Sequence, residues 1–125
     1  KNVQYFQNLN LSIIPFDRVF LHSNIEMRLK KMINCGLIDE VAQLLKKYEY
    51  SEMPAMSTIG YKQVRDYLHG NLSSDDMSKN ILSATRQLAK RQITWLRHLD
   101  STTVYSYTDY DNIVNRVKFF LGEGK

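Results

Sequence analysis

The stretch SSDDMSKNILSATRQLAKRQITWLRHLD, residues 73–100, is the strongest structural signal in the chain. Either leading serine can cap a helix, and the two aspartates after them fall in its first turn, where acids interact favourably with the helix dipole. Neither proline nor glycine interrupts the pattern before Asp100. It therefore predicts one helix of about 25 residues.

Basic residues dominate the second half of this helix. From Met77 to Leu99 it has no acidic residue. At about 100° per residue, four basic side chains fall within roughly 40° of one another and form a stripe about 27 Å long. The four are Lys79, Arg86, Lys90 and Arg97. A solvated helix face usually mixes both signs of charge, so this stripe favours an anionic partner, and its spacing suits a nucleic-acid backbone.

The opposite side of the same helix is predicted to be buried. It carries Ile81, Ala84, Leu88, Trp95 and Leu99. Ile93 and Leu96 lie on or near that side and are expected to support the helix. On this interpretation Trp95 is a core residue, and its change to alanine would cost about 3–5 kcal/mol of folding stability.

Periodicity and capping residues predict the other elements. They are a strand within Asn8 to Phe16, helices over residues 18–34, Leu37 to Tyr48 and Tyr61 to Leu68, a loop over residues 49–58, a strand over Thr102 to Tyr107 and a last helix from Asp109 or Asp111. Asp17 is the expected N-cap of the first helix, and Gly36 and Gly70 are expected to end helices. The side chains expected to be buried by the last helix are Ile113, Val117, Phe120 and Leu121.

The predicted fold is therefore mostly α with two short strands. Two short strands are not stable as a sheet by themselves, so we expect them to be neighbours in one parallel sheet of a larger α/β domain. The chain starts at Lys1, without methionine, directly before the first strand, and we expect it to be part of a longer protein.

Composition excludes several classes of protein. The chain has 125 residues, 43% hydrophobic and 24% charged, with a formal net charge of +4, which is typical of one globular domain and not of a disordered segment. No apolar run approaches the ~18 residues that a membrane helix needs. The single cysteine, Cys35, excludes an internal disulfide framework and is expected to be an inert thiol in a reducing compartment. The three histidines are too far apart for a metal site.

A second unusual stretch is MSTIGYK, from Met56 to Lys62. It combines hydroxyls, a glycine, an aromatic ring and a cation at the start of a helix, where backbone N–H groups favour phosphate. In that setting Tyr61 could stack on a base. The same residues also fit an ordinary helix start, with Thr58 as the cap and Tyr61 in the core.

At these two stretches the sequence resembles the C-terminal part of bacterial tRNA dimethylallyltransferases. The segments that carry the resemblance are Ala55-Met56 through Gly60-Tyr61-Lys62-Gln63, and ATRQLAKRQITWLR from Ala84 to Arg97. The pattern Arg18, Leu21-His22, Ile25-Glu26, Arg28, Met32, Gly36 and Glu40-Val41 also matches the family in spacing and type. The resemblance extends from about Leu11 to Leu99, and the second of these motifs is long and specific.

The resemblance implies an enzyme that transfers a dimethylallyl group from its diphosphate to N6 of adenosine 37, beside the anticodon of tRNAs that read codons beginning with U. It implies a P-loop-type α/β core with a helical insertion, of which residues 1–125 form the C-terminal part. In the family the phosphate loop, the general-base aspartate and the insertion precede the matched segment, and none of these motifs is in this sequence. Catalytic residues are therefore expected outside the chain, which alone is expected to be inactive.

The resemblance and the basic stripe together assign binding residues. The expected tRNA contacts are Ser57, Thr58, Ile59, Gly60, Tyr61, Lys62, Arg86, Lys90, Arg91, Gln92, Thr94 and Arg97. Arg28 is expected either to contact the donor diphosphate or to pair with a neighbouring acid. Family members usually carry arginine at the positions of Asn24, Ser57 and Lys62, and of these only Lys62 keeps the charge.

The expected partners of the intact enzyme are the tRNA anticodon stem-loop and dimethylallyl diphosphate, without a membrane. No metal ligand is assigned to this chain, and Mg²⁺ is expected to be bound by the other part of the enzyme, a cytoplasmic monomer. Two other classes remain open on the sequence alone: a stand-alone helical nucleic-acid-binding module without catalysis, and a helical protein-interaction domain with an acidic partner. A Gly-x-x-x-x-Gly-Lys-[Ser/Thr] phosphate loop upstream of Lys1 would decide for the transferase.

Overall fold

The computed structural model describes residues 6–15, 17–48, 53–100 and 102–123. The helices and strands are, in order, β1 (Asn10–Ile14), α1 (Arg18–Asn34), α2 (Leu37–Lys47), α3 (Tyr61–Leu68), α4 (Ser74–His98), β2 (Thr102–Ser106) and α5 (Tyr110–Phe120). A short 3-10 turn, Pro54–Ser57, precedes α3. The chain divides into a central unit, His22–Lys90, and a terminal unit that combines the residues up to Leu21 with those from Arg91 onward.

The central unit is built around one apolar core. Every helix in it contributes, as does the 3-10 turn, and the buried side chains are Leu29, Leu37, Val41, Met56, Val64, Met77 and Ile81. In α2 and in α4 the two buried side chains are four residues apart, Leu37 with Val41 and Met77 with Ile81, which places each pair on one face of its helix. Removing this apolar surface from water stabilises the unit by about 25 cal/mol per Å².

Gly36 separates α1 from α2 in a two-residue turn. Its backbone has φ 101° and ψ 22°, in the left-handed region that glycine adopts without a Cβ penalty. The prediction that Gly36 ends the first helix is confirmed. The turn brings Leu37 and Val41 of α2 into the same core as Leu29 of α1.

The terminal unit contains the sheet. β1 and β2 pair in parallel, with Asn10 opposite Thr102 and Ile14 opposite Ser106, which confirms the predicted pairing. Asp17 caps α1, because its Oδ1 accepts the backbone N–H of Phe20 at 2.6 Å. The ring of Phe20 in turn stacks on that of Tyr107 after β2, with centroids 5.2 Å apart and planes 11° apart.

The predicted elements are all present, with small differences at their ends. Both strands are shorter than predicted, α2 ends at Lys47, and α5 begins at Tyr110 with Asp109 as its N-cap. Ser73 rather than Ser74 caps α4, since its Oγ accepts the backbone N–H of Asp76 at 3.1 Å. Phe16 and residues 49–52, which the predictions included, lie outside the described residues.

The predicted buried side of α4 is wrong beyond its first turns. Ile81 is buried, but Leu88, Trp95 and Leu99 are exposed, Trp95 to 64%. Ala84, of the predicted side, is partly buried, and the other partly buried residues there are Leu82, Thr85, Arg86, Ala89, Ile93 and Leu96. Ala89 and Leu96 directly follow Leu88 and Trp95, so the covered side is displaced by one residue, or about 100°, from the predicted one. Periodicity locates an apolar face, whereas tertiary packing decides which face is covered.

Two further predictions are corrected by the structure. Phe120 and Leu121 are exposed at the end of α5, where no residue of the helix is buried, while Ile113 and Val117 are partly covered. Thr58 does not cap α3, because its hydroxyl donates to the carbonyl of Ala55 at 2.6 Å and the N-cap is Gly60.

Candidate nucleic-acid interface

The segment from Ser57 to Lys62 divides into an exposed and a covered part. Four of its side chains are exposed, those of Ser57, Thr58, Ile59 and Lys62. Gly60 is buried and Tyr61 is partly buried against the apolar core. The segment therefore presents two hydroxyls, an aliphatic group and one cation to solvent.

The two hydroxyls of this segment already donate within the chain. Ser57 Oγ donates to the carbonyl of Pro54 at 2.7 Å, and Thr58 Oγ1 donates to that of Ala55 at 2.6 Å. A hydroxyl has one proton and two lone pairs, so each oxygen can still accept a hydrogen bond. Toward RNA these side chains can therefore act as acceptors, for a ribose 2′-hydroxyl or a base N–H, and not as phosphate donors.

Gly60 begins α3 in a conformation that few other residues adopt. Its φ of 98° and ψ of −64° lie outside the regions open to residues with a Cβ atom. Its backbone N–H donates to Gln63 Oε1 at 2.8 Å, which closes the first turn of the helix. This geometry fixes the direction from which the preceding residues, Thr58 and Ile59, enter the helix.

Tyr61 is held at both ends of its side chain. Its ring packs against the core of the central unit, and its hydroxyl donates to a carboxylate oxygen of Glu40 in α2. The hydrogen bond to Glu40, partial burial and the negative charge of Glu40 raise the pKa of Tyr61 above its ordinary value of 10.0. Of its two predicted roles, core packing is the one that this geometry supports.

The central unit also holds the first three residues of the predicted basic stripe. Lys79 and Lys90 are exposed, and Arg86 is partly buried. The Nε atom of Arg86 is buried and has no hydrogen-bond partner among the residues that the structure describes. Since guanidinium stays charged in proteins, Arg86 keeps its positive charge although it is partly buried.

The end of α4 belongs to the terminal unit and is exposed on most of its surface. Four of the predicted tRNA contacts are on it and all are exposed: Arg91, Gln92, Thr94 and Arg97. Ile93 and Leu96 between them are partly buried, in agreement with their predicted supporting role. This end of the helix thus offers two guanidinium groups and two neutral polar groups to a partner.

Arg28 is exposed on α1, in the central unit. The acid nearest to it in sequence, Glu26, forms an ion pair with Lys30 at 3.4 Å, four residues on. The ion pairs found among the described residues do not involve Arg28.

The described residues do not suggest a metal site. No group of three or more His, Cys, Asp or Glu side chains within residues 6–15, 17–48, 53–100 and 102–123 could hold an ion. Mg²⁺ takes oxygen ligands, among them carboxylates, and this part of the chain has no cluster of carboxylates to offer it. The same residues contain no helix that is both long enough and apolar enough to cross a membrane.

Sequence reasoning missed two residues of this surface. Glu40 was recognised only as part of a matched pattern, because a contact between residues 40 and 61 leaves no trace in local periodicity. Trp95 was assigned to the core, although it is exposed beside Arg91 and Thr94. An exposed tryptophan has the same apolar signature in a sequence as a buried one.

A family model described as IPP transferase matches residues 1–99 of the chain. The chain belongs to the IPP transferase family. It is similar to a tRNA dimethylallyltransferase of Coxiella burnetii, 38% identical over 120 residues, which are 95% of this chain and 40% of that protein. A tRNA dimethylallyltransferase of Methylobacillus flagellatus is 41% identical over 108 residues, 85% of this chain and 34% of that protein.

Solved structures of IPP transferases share this fold. The full-length tRNA isopentenylpyrophosphate transferase of Bacillus halodurans superposes with a TM-score of 0.79 at 27% identity, over 93% of this chain and 38% of that one. The tRNA isopentenylpyrophosphate transferase of Staphylococcus epidermidis superposes with a TM-score of 0.75 at 24% identity, over 90% and 37% of the two chains. The predicted fold class and family are confirmed, and the chain spans about 40% of the relatives that it matches.

Proposed function

We propose that this chain is the tRNA-binding, core-completing part of a tRNA dimethylallyltransferase. The reaction is transfer of a dimethylallyl group from dimethylallyl diphosphate to N6 of adenosine 37, in tRNAs that read codons beginning with U. Residues 1–125 belong to the C-terminal part of the catalytic core, and the complete enzyme is a cytoplasmic monomer. The relatives named tRNA dimethylallyltransferase support this proposal, as does the exposed cationic surface.

The RNA-binding assignment rests on one observation: the exposed cations of α4 form no ion pairs among the described residues. Lys90, Arg91 and Arg97 are exposed, and α4 has no acid after Asp76 that could neutralise them. Among the described residues, the ion pairs found involve neither these cations nor any other residue of α4. Cations at this density repel one another until an anion joins them, and a phosphate backbone supplies several anions in a row.

The division of labour with the rest of the enzyme follows from the chemistry. Departure of diphosphate needs cations and Mg²⁺ around the leaving group, and the residues that the structure describes offer Arg28 but no carboxylate cluster for the metal. The acceptor adenine must also leave its stack and be held in a pocket before its N6 can react. In this proposal the chain binds the anticodon stem-loop and helps to shape that pocket.

The salt dependence of tRNA binding tests the proposal. Lys90→Ala and Arg97→Ala in the intact enzyme should weaken binding to about the same extent for every cognate tRNA. The slope of log affinity against log salt concentration should become shallower by roughly 0.7–0.9 for each phosphate contact removed. Melting temperatures should barely change, since exposed charges contribute little to stability.

Lys46→Ala is the matched control, because Lys46 is also an exposed lysine and lies in the last turn of α2. It should leave both the affinity and the salt slope unchanged. Equal behaviour of all three variants would show that the cations of α4 are merely solvated and would overturn the proposal. Normal tRNA binding without prenyl transfer by the intact protein would point instead to a nucleic-acid-binding module without catalysis.

A further inference from the structure

α3 is a short helix whose position depends on tertiary contacts. It has eight residues, and it buries Val64 completely. A helix of this length is not stable in water by itself. The ring of Tyr61, one turn before Val64, packs against the same core. Tyr61 and Val64 together therefore attach α3 to the central unit.

Glu40 reaches Tyr61 from a well-packed part of the central unit. Its backbone N–H donates to the carbonyl of Gly36 at 2.9 Å, in the first turn of α2. The next residue, Val41, is completely buried. The backbone of Glu40 is thus fixed on both sides, and the carboxylate that accepts the phenol of Tyr61 starts from a fixed point.

The segment before α3 is attached at its other end as well. Ser57 Oγ and Thr58 Oγ1 donate to carbonyls of the 3-10 turn at 2.7 and 2.6 Å. Between these contacts and Tyr61 lie Ile59 and Gly60, and a glycine has more backbone freedom than any other residue. Loss of the hydrogen bond from Tyr61 to Glu40 would therefore loosen the segment at the end where α3 begins.

Order in this segment affects how tightly it binds a partner. Thr58, Ile59 and Lys62, which lie on both sides of Tyr61 in sequence, are exposed. When only a fraction of the molecules hold a segment in its binding conformation, the apparent Kd rises by the inverse of that fraction. A contact that fixes the segment before RNA arrives therefore raises the affinity without touching RNA.

We infer that Glu40 is a positioning residue for RNA binding, which acts through its hydrogen bond to Tyr61 on the exposed side chains of residues 57–62. This inference rests on the proposed function and adds to it a residue outside the segments expected to contact tRNA. Glu40 itself does not contact RNA, since a carboxylate repels phosphate. Its negative charge is not needed either, because the phenol requires only an acceptor.

Two substitutions at Glu40 that change the charge equally test the acceptor alone. In the intact protein, Glu40→Gln keeps an acceptor oxygen, whereas Glu40→Met has a similar unbranched length without a comparable acceptor, and both new residues are good helix formers. Glu40→Met should bind an anticodon stem-loop about 2- to 13-fold more weakly than Glu40→Gln, the fold-change that corresponds to one ordinary hydrogen bond. Glu40→Gln should bind at least as tightly as wild type.

Tyr61→Phe tests the donor of the same hydrogen bond. It should weaken binding to about the extent that separates Glu40→Met from Glu40→Gln. Tyr61→Phe combined with Glu40→Met should bind no more weakly than Tyr61→Phe alone, because each change removes the same bond. Asp39→Ala is the control, since Asp39 is the exposed acid next to Glu40 on α2, and its loss should not weaken binding.

The salt dependence of binding distinguishes positioning from a phosphate contact. Glu40→Met removes no cation, so its slope of log affinity against log salt concentration should equal that of Glu40→Gln, whereas Lys90→Ala makes the slope shallower. In the intact enzyme, the loss in Glu40→Met should appear in KM for tRNA and not in KM for dimethylallyl diphosphate. All variants are compared well below their melting temperatures, so that unfolding does not contribute.

The outcomes separate this inference from the proposed function. If Lys90→Ala and Arg97→Ala weaken RNA binding but Glu40→Met binds as tightly as Glu40→Gln, the RNA-binding assignment stands and the positioning role is wrong. Equal weakening in Glu40→Gln and Glu40→Met would also overturn the role, since the charge and not the acceptor would then matter. Weaker binding by Tyr61→Phe without an effect of Glu40→Met would show that the phenol contacts RNA directly. Should Glu40→Met fail to fold, normal RNA binding by Tyr61→Phe, which keeps the ring, would still overturn the role.

Discussion

The hydroxyl of Tyr61 donates a hydrogen bond to the carboxylate of Glu40, and this contact joins the start of α3 to α2 across 21 residues of sequence. Because its ring packs against the core and its hydroxyl is hydrogen-bonded, Tyr61 holds the segment that begins at Ser57 in place. Thr58, Ile59 and Lys62, which are exposed, remain the side chains of that segment that a partner reaches first.

Tyr61→Phe should lower the free energy of unfolding by about 0.5–1.5 kcal/mol near neutral pH, because it removes this hydrogen bond and keeps the ring. Because this hydrogen bond is partly exposed to water, the decrease in the free energy of unfolding should lie near the lower end of that range. Chemical denaturation measures it, and Glu40→Gln is the control, since its amide oxygen can still accept the bond. If Glu40→Gln lowers the free energy of unfolding more than Tyr61→Phe does, Glu40 stabilises the chain through another contact.

The same contact predicts a dependence on alkaline pH. The pKa of Tyr61 is raised in the folded chain, so the neutral phenol is the form that folding favours. Its contribution to stability is fully present below the ordinary tyrosine pKa of about 10 and is lost as pH rises through the higher folded value. The difference in stability between wild type and Tyr61→Phe should therefore be constant from pH 7 to 9 and shrink above pH 10.

Gly60→Asn should destabilise the chain by about 1–3 kcal/mol because of backbone strain alone. A Cβ atom at Gly60 would meet nothing within 4 Å, so the cost comes from its φ of 98° and ψ of −64° and not from a clash. Gly36→Asn is the matched control, since Gly36 is in the left-handed region that asparagine tolerates. Stability is measured by thermal melting. Equal decreases in melting temperature for Gly60→Asn and Gly36→Asn would show that the backbone of Gly60 is not the more strained of the two.

Thr102→Val should cost about 1–3 kcal/mol, because it leaves the buried hydroxyl of Ser12 without its partner at 2.9 Å. Ser12→Ala combined with Thr102→Val should cost less than the two single changes added together, since both polar groups are then gone. Urea unfolding of the four proteins in this cycle gives the coupling. Strict additivity would mean that the two hydroxyls do not stabilise the pairing of β1 with β2.

The 125-residue chain should not transfer a dimethylallyl group. The donor-binding loop and the general base of the proposed enzyme lie outside it, and its described residues have no carboxylate cluster for Mg²⁺. The assay is incubation with dimethylallyl diphosphate, Mg²⁺ and unmodified tRNA, followed by nucleoside analysis, with the intact enzyme as positive control. Appearance of the modified adenosine would show that this division of labour is wrong.

Local signals in the sequence were enough to predict the elements. The start of α1 follows from a cap at Asp17, and the ends of α1 and α3 follow from the glycines at positions 36 and 70; these features act over only a few residues. The parallel pairing of β1 with β2 was predicted because two isolated short strands are unstable. Rules that act over a few residues were therefore enough to predict the helices and strands.

The sequence did not predict the contacts between residues that are far apart along the chain. Hydrophobic spacing identified Leu88 and Trp95 as one face of α4, but which face is covered depends on the elements packed against it. The bond between Glu40 and Tyr61 is likewise a product of tertiary packing. For the candidate interface, the charges could be read from the sequence, whereas exposure of Trp95 and internal use of the Ser57 and Thr58 hydroxyls could not.

The parallel sheet has a consequence for synthesis of the protein. Asn10 and Thr102 meet in it although 92 residues separate them, whereas the central unit is continuous in sequence. At 5–20 residues per second, the ribosome takes roughly 5–18 s to make the residues between β1 and β2. During that interval the central unit can fold, whereas the backbone groups of β1 that pair with β2 have to wait until β2 has been made.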